Sequence, residues 1–185
     1  MKTAGKARIA IASAALLGLL ATACAWGVES TAAPATNTSK PLDEHMLADI
    51  EAIRSVLVLY TKALDGRDYA ALSGVFTADA TGNYSPNGTY KGLDNVAAFI
   101  KRALDQCERT QHLLSNMDVS VSGNTATANS YLQAIHVGKK SGYEGKVMTF
   151  WGVYHDRLVR TPSGWRISYR ELEKIHAEGD IGMKL

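Results

Sequence analysis

The chain has 185 residues, of which 46% are hydrophobic, enough for one folded domain with a core of its own. Its 20 Lys and Arg residues against 18 Asp and Glu residues give a formal net charge of +2. Three basic residues, Lys2, Lys6 and Arg8, precede the first acidic one, and without them the net charge is −1. No basic stripe with interleaved aromatic residues remains, which argues against a nucleic-acid-binding protein.

The first 24 residues have the pattern of a signal segment. The three basic residues are followed by a run of about fifteen apolar and small residues, 9–23, whereas a membrane-spanning helix needs about 20. Ala21-Thr22-Ala23 fits a cleavage site, and Cys24 directly after it makes an imperfect match to a lipoprotein processing site. We therefore expect export, either to the periplasm or to a lipid-anchored position at the cell envelope through Cys24.

A linker and one domain are predicted after this segment. Residues 25–41 are rich in Ala, Thr, Ser and Pro without periodicity, which is typical of a flexible linker. The folded domain is predicted over residues 42–178, followed by a tail, 179–185. Once Cys24 is lipidated or removed, Cys107 is a single thiol, which we interpret as a half-buried apolar residue at the end of a helix rather than as a nucleophile.

Three helices are predicted in the first half of the domain. Apolar residues spaced by three and four over 47–64 predict a long helix that ends at Asp65, with Gly66 as its C-terminal stop. Asp68 is expected to cap a short second helix over 69–75. Asp94 is expected to cap a third helix, whose apolar face comprises Val96, Phe99, Ile100, Ala103 and Leu104.

Four long strands are predicted after these helices. Segments 110–121, 125–138, 146–160 and 165–177 are rich in β-branched and aromatic residues and are separated by turn signals. A further strand pair is expected on either side of residues 85–88. Helices followed by a run of adjacent strands predict an α+β fold, with a mostly antiparallel sheet packed on about three N-terminal helices.

Four segments of the chain resemble the SnoaL-like branch of the NTF2-like superfamily. They are YTKALDGRD, VFTADA, TQHLLSN and GWRISYR, which begin at residues 60, 75, 110 and 164. This branch includes scytalone dehydratase, a hexachlorocyclohexane dehydrochlorinase, bile-acid dehydratases and diarylpropane lyases. The resemblance covers about residues 43–178 and implies a cone: a curled sheet over helices, with a central pocket. The same scaffold also hosts plain binding modules and oxygenase subunits, so it does not specify a reaction.

The resemblance also implies catalytic residues. Asp65 and His112 match the Asp–His pair of the dehydratase and dehydrochlorinase members, His136 matches a second catalytic His, and Tyr84 matches a carbonyl-polarising Tyr. A His exchanges protons near neutral pH, and an Asp bound to its other nitrogen fixes the tautomer. The alternatives remain open: a turn role for Asp65, a satisfied strand His for His112, and a half-exposed strand aromatic for Tyr84.

The dehydratase pattern is incomplete. Phe150 and Gly152 stand near the positions at which a dehydratase carries Ser and Asn, which argues against scytalone itself as the substrate. Tyr60, Trp151 and Arg170 are candidates for substrate binding. For Arg170, an ion pair with Glu171 or Asp65 is an alternative. No HxH, HExxH or CxxC spacing occurs, so neither a metal site nor a cofactor is expected.

Two functions of different classes follow from these residues. The first is a cofactor-free lyase or isomerase that abstracts a proton and eliminates a group from a small hydrophobic, aromatic or polycyclic hydroxylated compound. The second is a non-catalytic ligand-binding domain of the cell envelope. For partners we expect a small molecule and a homodimer or homotrimer, no nucleic acid, and membrane contact only through a lipid on Cys24.

Overall fold

A computed structural model describes residues 43–184 of the chain. The predicted signal segment, Cys24 and the linker lie outside these residues, and their assignments stay predictions. An α-helix and a 3₁₀ helix come before the first two strands, a second α-helix follows those strands, and four long strands complete the domain. Within residues 43–184 no helix is both long and apolar enough to cross a membrane.

Helix α1, Glu44–Asp65, lays one apolar face on the sheet. The side chain of Asp43 accepts a hydrogen bond from the Met46 N–H at 2.7 Å and begins the helix. Buried residues recur every three or four positions, as expected for a helix with one apolar face: Ile53, Val56, Leu57, Tyr60, Ala63 and Leu64. The predicted end at Asp65 is confirmed.

The turn after α1 passes through Gly66 and Arg67 to a short second helix. Gly66 has φ −81°, an ordinary right-handed conformation, and Arg67 takes the left-handed one, with φ 58°. Asp68 accepts a hydrogen bond from the Ala71 N–H and begins a short 3₁₀ helix, Tyr69–Gly74. The predicted stop of α1 at Gly66 and the predicted cap of the second helix at Asp68 are therefore both confirmed, and the left-handed residue of this turn is Arg67.

Helix α2, Leu93–Leu104, begins at a different residue from the one predicted. Its N-cap is Gly92, with φ 84°, and Asp94 lies inside the first turn. The prediction of Asp94 as the cap is thus wrong, because the left-handed Gly92 turns the chain from strand directly into helix. Asp94 still stabilises the helix, because its negative charge lies near the positive end of the helix dipole. The predicted apolar face from Val96 to Leu104 is buried as expected.

Six strands form one curled sheet in the order β2-β1-β6-β5-β4-β3. All neighbouring pairs are antiparallel except β1 and β6, which are parallel. Cys107 is the first residue of β3, not the end of a helix, and it is buried. The bounds are β1 Phe76–Asn83, β2 Thr89–Lys91, β3 Cys107–Ser122, β4 Thr125–Gly138, β5 Val147–Thr161 and β6 Gly164–Glu178.

The inner face of β4 determines how much space lies between sheet and helices. Every second residue of this strand is buried, from Ala126 to Gly138, and most of these side chains are small. The sheet also bends at register shifts between β3 and β4 and between β5 and β6. Small inward side chains on a bent sheet leave an internal cavity.

The segment after β6 is packed against the domain. Ile181 is buried, and the Gln106 side chain bonds both the backbone N–H and the carbonyl of Lys184, each at 2.9 Å. Met183 lines the internal cavity. The segment predicted as a tail is therefore packed on the domain as far as Lys184, with Ile181 buried and Met183 in the cavity wall.

Candidate active site

The carboxylate of Asp65 and the imidazole of His112 are in direct contact. Asp65 is the last residue of α1, and its Oδ1 lies 2.6 Å from Nδ1 of His112. Its Oδ2 accepts the backbone N–H of His112 at 2.9 Å, and Thr110 Oγ1 donates to Oδ1 at 2.9 Å. Because β3 is an edge strand, the His112 N–H that faces away from β4 is free to bind Asp65.

These contacts determine the charge and the tautomer of the pair. Burial raises the pKa of Asp65, but the hydrogen bonds from His112 outweigh it and hold the pKa below its usual value. Asp65 is therefore ionised at neutral pH and accepts the Nδ1 proton of His112. In the neutral form of His112 this hydrogen bond leaves Nε2 as the nitrogen without a proton, and Nε2 has no hydrogen-bond partner among residues 43–184.

His112 faces a cavity of about 120 Å³ between the sheet and the helices. This volume is comparable with that of an apolar cavity of about 150 Å³ that binds benzene. The wall is mainly apolar, and it includes Leu64, Phe99, Ile100, Leu104, Leu132, Ala134, Met148, Phe150 and Leu172. The polar residues of the wall are the two predicted His residues, three Tyr residues and Asn87.

His136 lies beside His112 on the same cavity wall. The two rings meet edge to face, with centroids 5.6 Å apart. Burial lowers the pKa of His136 to about 4, and the charge of His112 adds to this effect. Its Nδ1 is buried and has no hydrogen-bond partner in the described part of the chain. His136 is thus neutral at neutral pH, whereas the Asp65 carboxylate is placed to stabilise a proton on His112.

Three tyrosine side chains line the same cavity. Tyr60 and Tyr154 contact each other at 3.3 Å between their hydroxyl oxygens, and Tyr84 has no hydrogen-bond partner for its buried hydroxyl within residues 43–184. Burial raises the pKa of both Tyr84 and Tyr154, so these hydroxyls stay protonated. Because Tyr60 and Tyr154 share one hydrogen bond, two of the three O–H groups have no acceptor among residues 43–184.

Arg170 does not reach the cavity. It is fully buried and forms a two-pronged ion pair with Asp156, at 2.7 and 2.6 Å. Its guanidinium lies 4.1 Å from the ring centre of Tyr60 and 4.0 Å from that of Tyr154. The predicted contact with substrate and both predicted ion-pair partners are therefore wrong. Asp156 and Arg170 are cross-strand neighbours on β5 and β6, so sheet register decides the pairing.

Three of the predicted catalytic residues, Tyr84, His112 and His136, line one cavity together with Tyr60. Asp65 contacts His112 but is not part of the cavity wall, and neither is Trp151. The Trp151 ring stacks on His176 at 5.6 Å between centroids, and Trp151 is not part of the cavity wall. Tyr154 lines the cavity and was not predicted as a site residue. Strand parity was the available signal, since Tyr154 lies four residues after Phe150 on β5 and shares its face.

Comparisons with known proteins agree with this architecture. A family model described as a SnoaL-like domain matches residues 45–171. The chain belongs to this family. The SnoaL-like domain is 32% identical over 138 residues to the uncharacterized protein Rv2910c of Mycobacterium tuberculosis, covering 70% of this chain and 90% of that protein.

Two solved structures from Novosphingobium aromaticivorans are similar to this SnoaL-like domain. One is a candidate scytalone dehydratase, with a TM-score of 0.67 and 26% identity over 72% of this chain and 89% of the other. The second is a candidate aromatic ring hydroxylase, with a TM-score of 0.66 and 27% identity over 72% and 94%. The SnoaL-like domain therefore has the NTF2-like fold, with a curled, open, mixed sheet.

The SnoaL-like domain has no cluster of three or more His, Cys, Asp or Glu side chains arranged as metal ligands, as far as residues 43–184 are concerned. Of the other His residues, His155 lies between Asn129 and Glu173 in an exposed group, with ring nitrogens 2.8 and 2.9 Å from their oxygens. His45 is exposed in the first turn of α1. Neither residue lines the cavity.

Proposed function

We propose that this domain is a cofactor-free lyase that removes a proton and a leaving group from a small oxygenated ring compound. The observation that carries the proposal is the 2.6 Å contact between Asp65 Oδ1 and His112 Nδ1 beside a mainly apolar cavity. The similarity to a candidate scytalone dehydratase supports an elimination reaction. The expected signal segment adds that the reaction takes place after export, in the periplasm or at the cell envelope.

In this proposal His112 is the base. Its Nε2 takes a proton from the carbon next to a carbonyl group, and the electron pair of that C–H bond moves towards the carbonyl oxygen. When the pair returns, it forms a carbon–carbon double bond and expels the hydroxyl on the neighbouring carbon. The proton on His112 goes to that hydroxyl, so water leaves and the base is restored. Asp65 stabilises the charged imidazole in between.

Tyr84 is the proposed donor to the developing oxyanion. Its buried hydroxyl has no partner within residues 43–184 and stays protonated, so it donates to oxygen rather than accepting a proton. Tyr60 and Tyr154 supply a further O–H at the same cavity. His136 is proposed to bind the substrate as a neutral imidazole, because its pKa of about 4 removes it as an acid at neutral pH.

Substitution of the base tests the proposal. Cyclic β-hydroxy ketones with one six-membered ring are incubated with wild type, His112→Ala and Asp65→Asn, and the enone product is followed by its absorbance. Loss of a general base lowers the rate by about 10²–10⁴-fold. His155→Ala is the matched control, because this residue is exposed outside the cavity. Equal rates in wild type and in His112→Ala contradict the assignment.

A non-catalytic ligand-binding role is the second candidate. Phe150 on the cavity wall favours it, since a phenyl ring supplies no hydrogen bond at a position where a dehydratase carries a polar side chain. Mass spectrometry of ring ketones recovered after long incubation separates the two functions. Compounds that bind and return unchanged support the binding role, whereas products lighter by one water support the lyase.

A further inference from the structure

Arg67 has an unfavourable backbone conformation directly after the last residues of α1. Its φ of 58° is left-handed, a conformation that is unfavourable for a residue with a side chain. The neighbouring Gly66, which would adopt this conformation readily, is right-handed. Such a conformation persists only where surrounding contacts stabilise it, and it occurs preferentially at functional sites.

The Arg67 side chain folds back onto the Asp65 site. Its Nη1 donates to the Leu64 carbonyl and to Thr110 Oγ1, both at 2.8 Å. None of its hydrogen bonds within residues 43–184 goes to a carboxylate. The Arg67 charge nevertheless acts on the cavity, since it contributes to the lowered pKa of His136.

Thr110 connects Arg67 to the carboxylate. A hydroxyl group has one hydrogen to donate and two lone pairs that accept. Because Arg67 has only donors, Thr110 accepts from Arg67, and its single hydrogen goes to Asp65 Oδ1 at 2.9 Å. The direction of each hydrogen bond from Arg67 through Thr110 to Asp65 is thereby determined.

We propose that Arg67 and Thr110 are positioning residues that orient the Asp65 carboxylate towards His112. With Oδ2 held by the His112 N–H, the Thr110 hydroxyl determines the rotation that presents Oδ1 to Nδ1. The arrangement fixes the Nδ1–H tautomer and leaves Nε2 unprotonated. The effect of this orientation on turnover rests on the proposed lyase function. The effect of the orientation on the Nδ1 proton of His112 does not depend on that function.

The experiment follows the Nδ1 proton of His112 by nuclear magnetic resonance. In wild type this proton, held in a 2.6 Å contact, is expected to resonate at low field and to exchange slowly with water. His112→Gln identifies the signal by removing it. Thr110→Val keeps the side-chain shape but removes the hydroxyl, and we expect exchange to become about tenfold faster or more, as for loss of a hydrogen bond to a charged group.

Two further variants and a control complete the test. Thr110→Ser restores the hydroxyl and should restore slow exchange, and Arg67→Gln should accelerate exchange without altering Thr110. Thr61→Val is the control, because its hydroxyl bonds the Val58 carbonyl on α1. Unchanged exchange in both Thr110→Val and Arg67→Gln overturns the proposal, and if Thr110→Val does not fold, Arg67→Gln alone decides it. Faster exchange without turnover of any ring ketone supports the positioning role and contradicts the lyase function.

Discussion

His112 and His136 face the same cavity, but their surroundings give them different chemistry. Of these two histidines, only His112 contacts Asp65, whose carboxylate is placed to stabilise a proton on that ring. His136 is buried without a carboxylate partner, and burial is the main cause of its lowered pKa. One histidine is thus suited to cycle a proton and the other to remain neutral, a difference that comes from neighbours rather than from residue type.

The buried neutral His136 makes stability depend on pH. The pKa of His136 is about 4 in the folded protein and 6.5 in the unfolded protein. Between these pH values the unfolded state therefore binds more protons than the folded state. The free energy of unfolding should therefore fall as pH decreases from 6.5 to 4, by on the order of 3 kcal/mol, and this effect should level off below pH 4. Urea titrations across this range measure it.

His136→Gln provides the test of that cause. The variant cannot titrate, so most of the fall in unfolding free energy between pH 6.5 and 4 should disappear. His45→Gln, at an exposed position in the first turn of α1, should retain it. A pH dependence in His136→Gln equal to that of wild type would assign the acid sensitivity to other groups.

The ion pair between Asp156 and Arg170 illustrates the cost of a buried charge without its partner. Both side chains are 0% exposed. Asp156→Ala should lower the free energy of unfolding by about 3–5 kcal/mol, because Arg170 is left charged between two aromatic rings. Lys101→Ala, which breaks the exposed ion pair with Asp105, should cost at most about 1 kcal/mol. Similar losses in the two variants, measured by urea denaturation, would contradict this account.

At the scale of elements, the site depends on where α1 ends relative to β3. The helix has to stop at Asp65 for the carboxylate to reach the edge strand, and the turn through Gly66 and Arg67 begins at that point. The sequence predicts the end of the helix and both strands around the site. The bond between Asp65 and the free backbone N–H of His112 follows from the edge position of β3, which pattern analysis does not specify.

The C-terminal segment contributes Met183 to the cavity wall, and the side-chain amide of Gln106 bonds its backbone at Lys184. Gln106→Ala removes both hydrogen bonds to the Lys184 backbone, so amide hydrogen exchange over residues 181–184 should become about tenfold faster or more. Gln111→Ala, at an exposed position on β3, is the control. Hydrogen exchange followed by mass spectrometry measures the difference. Unchanged exchange in Gln106→Ala would mean that Ile181 alone holds the segment.

At the scale of the whole molecule, the curled sheet limits the size of a ligand. A cavity of about 120 Å³ accommodates one ring. Phenol at about 100 times its dissociation constant should therefore increase the free energy of unfolding by about 2.7 kcal/mol. Ala134 lines the cavity, so Ala134→Leu should fill part of its volume and abolish this increase. Ala48→Leu, at an exposed position on α1, should leave the increase unchanged. Thermal denaturation with and without phenol measures both, and stabilisation of Ala134→Leu would place the phenol site elsewhere.

The sequence by itself determined the three helices and the run of long strands, because hydrophobic periodicity and turn residues are local signals. The resemblance of four segments to SnoaL-like proteins pointed to the family and singled out Asp65, Tyr84, His112 and His136 as site candidates. Only the tertiary structure decided that Tyr84, His112 and His136 line one cavity with Asp65 bound to His112, that Arg170 pairs with Asp156, and that Trp151 lies elsewhere. Those outcomes depend on strand register and sheet curl, which bring together residues far apart in the chain and which no local pattern encodes.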